Sequence, residues 1–142
     1  MQGYLIKKII GSKIASINRI CDMVSVEFNS KENSTSYLHI QCFFRIKKGE
    51  KIVLSSEDMY RKGLKCKPEE FEWDIPGNSL FDESIAAFHN ELISKTILDI
   101  TISKTKDVII SLENQIVLEI LIDTVSDEEK YRFFDENEEF VR

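Results

Sequence analysis

The stretch Tyr37-Leu38-His39-Ile40-Gln41-Cys42-Phe43-Phe44-Arg45-Ile46 alternates between apolar and polar positions almost without fault. Leu38, Ile40, Cys42, Phe44 and Ile46 fall on one side of an extended chain, and His39, Gln41 and Arg45 on the other. Successive side chains of a strand point to opposite faces, so this spacing predicts one long strand buried on one side. Its polar side aligns an imidazole, an amide and a guanidinium. Those three groups can hold a specific ligand, which makes His39, Gln41 and Arg45 the first candidate site.

Working outward, Leu5, Ile6, Ile9 and Ile10 have helical spacing and are followed by Gly11, so a short N-terminal helix with a glycine cap is expected. Lys13–Ile20 alternates only in part, because Ile14 and Ile17 are out of register; it reads as a strand carrying a bulge. Met23–Phe28 is a second strand, Asn29–Ser34 a polar hairpin loop, and Lys51–Ser55 a strand after the Lys47–Glu50 turn. From Glu57 to Leu80 periodicity disappears. This segment holds both prolines, two of the five glycines and the only tryptophan. A loop of this length within a compact chain is functional or mobile, and Trp73 either serves a site or closes one end of the core. Helix returns at Asp82–Lys95, with Ile85, Phe88, Leu92 and Ile93 as its apolar stripe and Ser79 or Asp82 as its cap. Three strands follow, at Ile97–Ser103, Val108–Leu112 and Ile116–Asp123, and Tyr131–Phe134 is a short aromatic strand. The order of elements repeats, which leaves two readings of residues 5–55 and 82–134: a duplicated unit, or a coincidence of generic strand signals.

A chain of 142 residues is one domain by size. Apolar residues make up 42% and charged residues 31%, as in ordinary folded proteins. No apolar run approaches the roughly 20 residues that span a bilayer. Lysines interrupt the N-terminal apolar stretch and no small-residue cleavage site follows it, so no signal peptide is expected. The three cysteines are odd in number and none is in a C-x-x-C pair. Reduced thiols and a cytoplasmic location are therefore expected. Charge is divided unevenly: residues 1–67 carry 13 basic and 6 acidic side chains, residues 68–142 carry 6 and 19. Acid concentrates in Asp127, Glu128, Glu129, Asp135, Glu136, Glu138 and Glu139, a surface that would repel nucleic acid and attract a basic protein. The plainer reading of the same residues is a solvated tail.

Catalytic motifs are absent: no G-x-S-x-G, H-E-x-x-H, P-loop or G-x-G-x-x-G occurs. His39-x-x-Cys42 is the only close His/Cys pair, and positions three apart on a strand face opposite ways, so no metal and no cofactor is expected. Glu119 or Asp123 would fall near His39 or Arg45 if their strands were neighbours. That arrangement serves acid–base chemistry or, more simply, a salt bridge across a sheet.

Three colinear segments carry a resemblance. They are Leu38-His39-Ile40-Gln41-Cys42-x-x-Arg45-Ile46, Phe71-x-Trp73-Asp74-x-x-Gly77-Asn78-x-Leu80-Phe81-Asp82 and Glu129-x-Tyr131-Arg132-Phe133-Phe134. They resemble a family of small bacterial proteins without assigned biochemistry, in which Trp often stands at the positions of Phe44 and Tyr131. Such proteins are similar in size and charge to immunity proteins of bacterial toxin systems, and the resemblance implies no catalytic residue.

The expectation is an α+β chain with a mainly antiparallel sheet, as two related meanders or an open barrel, plus a short N-terminal and a central helix. Its function is expected to be non-enzymatic binding of a basic protein. The alternatives are a ligand or enzyme site built on His39, Gln41, Arg45, Trp73 and Asp74, and a homodimer formed through a sheet edge.

Overall fold

The structure, a computed structural model, describes residues 2–142, and the stretch from Tyr37 to Ile46 is not one strand in it. It divides into β3 (Thr35–Ile40) and β4 (Phe44–Lys48), which belong to different sheets. The apolar parity survives the break, since Leu38, Ile40, Phe44 and Ile46 are all buried. What changes is the hydrogen-bonding partner. β3 pairs with β9 (Tyr131–Phe134) as far as Ile40, and the Gln41 amide then donates to the Lys130 carbonyl at 2.7 Å. Beyond the bend the Phe43 carbonyl accepts from the Leu121 amide at 3.0 Å, and β4 pairs with β8 (Ile116–Ile120).

The remaining strands are β1 (Lys13–Ile20), β2 (Met23–Asn29), β5 (Lys51–Ser55), β6 (Ile97–Ile102), β7 (Val108–Leu112) and β10 (Glu139–Val141). They form two five-stranded antiparallel sheets, of order β1-β2-β3-β9-β10 and β5-β4-β8-β7-β6. The fold is therefore α+β with antiparallel sheets, and the strands form two meanders rather than an open barrel. Each half of the chain supplies a helix and a three-stranded meander to one sheet, then sends a hairpin to the other. The β4–β5 hairpin completes the sheet of β6–β8, and the β9–β10 hairpin completes the sheet of β1–β3. The free edges of the two meanders meet where the Lys13–Thr96 bridge forms, with Ser94 donating to Ile14 and Ile97 to Ser12, both at 2.8 Å.

Local sequence explains most elements. Helix α1 (Gln2–Ile9) buries Leu5 and Ile9, one turn apart, and stops at Gly11, whose φ of 92° favours glycine. β1 shifts register against β2 between Ile14 and Ser16, and that bulge lets Ile14 and Ile17 both face inward although they are three apart. Helix α2 (Leu80–Leu92) starts earlier than its apolar stripe suggests. Ser79 caps it, accepting from the Asp82 amide, while the Asp82 carboxylate accepts from the Ser79 amide. Phe81, Phe88 and Leu92 are its buried residues, and the chain leaves the helix before Ser94, at φ 70°.

A further region departs from the sequence reading. The acidic C-terminal stretch is not a solvated tail throughout, because β9 and β10 lie within it and bury Tyr131, Phe133 and Phe140. β10 is three residues long, set among acids, and has no pattern of its own to announce it. One contiguous apolar core takes side chains from both sheets and both helices. Among the described residues no helix is long and apolar enough to cross a membrane.

Tyr131 is fully buried and its hydroxyl donates to the Lys106 carbonyl at 2.8 Å, tying the incoming hairpin to the β6–β7 turn. Burial raises its phenol to about 12, so it remains a donor at any ordinary pH. In urea unfolding, Tyr131→Phe is expected to cost about 1 kcal/mol, the worth of that hydrogen bond. Phe133→Ala is expected to cost about 3–5 kcal/mol through the cavity it leaves.

Candidate functional site

The five candidate residues fall in four places. His39 is on β3, opposite Arg132 in register, with its ring edge-on to Phe134 at 4.8 Å between centroids. Burial, then the charge of Arg132, lowers its pKa, against a weaker opposing effect of Glu129. A neighbouring carboxylate that raises the histidine into a general acid is not what surrounds it. Arg45 lies in the other sheet, directly opposite Glu119, and donates to it at 2.7 Å; Lys47 reaches the second oxygen at 3.3 Å. Burial works against the Glu119 charge, but these two cations outweigh it and hold its pKa below the ordinary value. Arg45 is thus half of a salt bridge across a sheet. Gln41 is exposed at the crossover between sheets, and Trp73 and Asp74 lie on the long loop.

The acidic candidates are also partly committed. Asp135 is ion-paired with Lys8 at 2.8 Å and accepts from the amides of Asn137 and Glu138. Burial opposes its charge, but the Lys8 ammonium and the two amides prevail and lower its pKa. Glu129 and Glu139 both pair with Arg132. Asp127, Glu128 and Glu136 remain exposed, while Glu138 is half-buried in the β9–β10 turn.

The long loop is organised by a residue the sequence did not single out, Arg19. Its side chain is only 6% exposed, and Asp82 beside it 12%, so this ion pair is shielded from solvent. Nη1 donates to Ser79 Oγ at 3.1 Å and to both Asp82 oxygens at 3.3 Å, Nε to the Cys21 carbonyl at 2.8 Å, and Nη2 to the Trp73 carbonyl. One guanidinium therefore joins the end of β1, the capping box of α2 and the loop. A buried arginine suits this task because its planar fork offers donors in several fixed directions. Further pins are the Lys62–Ser79 bridge and Glu83, which accepts from the Leu64 and Lys65 amides.

This scaffold presents an aromatic platform. Trp73 stacks obliquely on Tyr60, with centroids 5.1 Å apart, and the Arg19 guanidinium lies 5.8 Å from its ring centre. Both aromatics are exposed, at 36% and 52%, and Ile75 is 43% exposed, so Trp73 does not close the core. The segment Pro68–Ile75 carries Glu69, Glu70, Glu72 and Asp74 with no basic residue among them, all exposed. None of these four is ion-paired among the described residues.

A groove of about 560 Å³ follows the outer side of α2 past Cys66, Asn78, Ala86 and Ala87. Its carboxylates, Asp82 and Glu83, are already satisfied by the contacts above, so they have structural work rather than a ligand. Among the described residues no three His, Cys, Asp or Glu side chains come together as metal ligands. Comparison with known protein families, curated proteins and solved structures finds no match for this chain.

Two outcomes are expected. Arg19→Met should open the loop and speed tryptic cleavage at Lys62 and Lys65 by ~10-fold, while cleavage at Lys104 and Lys106 is unchanged. Mass spectrometry of timed digests reads the difference. By NMR, His39 should titrate below 6.5. A histidine pKa lowered by folding contributes stability that is complete above 6.5 and is lost as pH falls through the folded value, and Arg132→Ala should narrow that shift.

Proposed function

We propose that this chain is a non-enzymatic cytoplasmic binding protein that docks a basic protein through the Trp73 platform. The immunity-type inhibitor of a basic toxin domain, suggested by the resemblance of its three sequence segments, is the specific form of this reading. One observation carries it: an exposed Trp73 lying against an exposed Tyr60 and tied through its carbonyl to the shielded Arg19 side chain, on a loop segment that carries four unpaired carboxylates. Exposed Trp and Tyr held rigidly are the residues that dominate binding energy at protein interfaces, because they bury much area at little entropic cost. The loop acids and the exposed Asp127, Glu128 and Glu136 supply a negative field that steers a cationic partner and discriminates against nucleic acid. Three free thiols fit a reducing compartment.

The experiment is capture from native lysate at low salt, with mass spectrometry and a measured affinity for whatever is recovered. A single basic protein in near-equal amount is expected, released by high salt. Trp73→Ala should weaken it by about 30-fold, the equivalent of a 2 kcal/mol anchor. Capture that is indifferent to both salt and Trp73→Ala sinks the proposal, and recovery of the bait alone as a dimer favours self-association.

A further inference from the structure

Tyr60 has a second neighbour besides Trp73. It also lines a cleft of about 160 Å³ where the chain crosses from β3 to β4, together with Gln41, Cys42 and the exposed acids Asp22, Glu57 and Asp123. Small-molecule sites usually begin near 300 Å³, so this volume suits one extended side chain rather than a metabolite. The three carboxylates come from three separate elements: the β1–β2 turn, the start of the loop after β5, and the chain leaving β8. None of them is ion-paired among the described residues. The nearby cations are placed elsewhere. Arg19 is committed to Asp82 and Ser79, while Lys130 and Arg142 act on Cys42 without lining the cleft.

We infer that the docking face continues from the platform into this cleft, and that the cleft takes an arginine side chain of the basic partner. The inference rests on the docking reading above and adds the residue by which the partner is recognised. Three features favour a guanidinium. Its plane stacks on an aromatic wall, here Tyr60; it donates in several directions, suiting carboxylates that come from three separate elements; and it sheds water more readily than an ammonium. Gln41 adds a neutral polar residue to the lining. Continuity with Trp73 means that one anchor fills a pocket while the neighbouring aromatics exclude water around it, the arrangement that concentrates binding energy.

The test needs no partner. Titrate the protein with N-acetyl-arginine amide and follow backbone amides by NMR, using the uncharged citrulline analogue and N-acetyl-lysine amide as controls. Saturable shifts confined to Asp22, Gln41, Cys42, Glu57 and Tyr60 are expected, absent with citrulline, and weakened ~10-fold in Asp22→Asn/Asp123→Asn. Cys42 supplies a second signal. Burial, reinforced by Asp123, lifts its thiol to about 11. A cation in the cleft should bring that value down and speed alkylation, measured in a Cys21→Ser/Cys66→Ser background. Shifts that never saturate, or that citrulline reproduces, overturn the inference, and equal binding of lysine overturns the choice of arginine. Failure here with partner capture still lost in Trp73→Ala removes the arginine pocket and leaves the docking face standing. Arginine binding with no dependence of capture on Trp73 does the reverse.

Discussion

Everything in this structure depends on the two places where the chain changes sheets. At Gln41–Phe43 and again between Leu121 and Lys130 the backbone leaves one set of neighbours for another, and at both points its polar groups lie beside an apolar core. They are satisfied by each other: the Gln41 amide bonds to the Lys130 carbonyl, and the Leu121 amide to the Phe43 carbonyl. An unpaired backbone group there would cost about as much as a lost core contact. The two crossovers are therefore a matched pair, and neither could be rearranged alone. The small cleft lies at these crossovers, with Gln41, Cys42, Phe43 and Asp123 in its lining.

A second constraint acts locally. Arg19 and Asp82 are shielded from water, and a shielded ion pair is stabilising only if its remaining hydrogen-bonding capacity is filled. Here it is filled by Ser79, Gly77 and the carbonyls of Cys21 and Trp73. The demand for partners gives the loop a defined path without a regular element of any length. Exposure of Trp73 follows from the same fact. Its carbonyl is held inward, which leaves the ring to lie over the guanidinium and against Tyr60 instead of entering the core.

The parts that were legible in the sequence are those decided by neighbours in the chain. The spacing of Ile14 and Ile17 encodes a bulge, Ser79 and Asp82 encode a cap, and Gly11 encodes a helix stop. Alternation from Leu38 to Ile46 gave the correct buried side at every position flanking the bend, yet it concealed the bend. Parity says which way a side chain faces, and nothing about which strand lies beside it. Without a glycine or proline, Gln41–Phe43 gives no local sign of a change of sheet. Arg19 was illegible for the same reason, since its principal partners are some sixty residues away. Trp73 was noticed for its rarity, but its contacts with Tyr60 and Arg19 left no sign in the local sequence. Asp135 was counted as surface charge because its counter-ion, Lys8, stands at the other end of the chain.

The exchange of hairpins has a consequence for synthesis. When the first half leaves the ribosome, β4 and β5 have no sheet to join, and β3 exposes a full row of unpaired amides and carbonyls where β9 will later lie. The β4–β5 hairpin waits for β8, and β3 waits longer still, for β9. Such long-range pairing is slow, and bare strand edges next to apolar faces invite association between nascent chains. Two such chains could also satisfy each other by passing hairpins between molecules, a domain-swapped assembly with the same contacts as the folded monomer. The interlock that unites the halves makes the half-made chain the most vulnerable form of this protein.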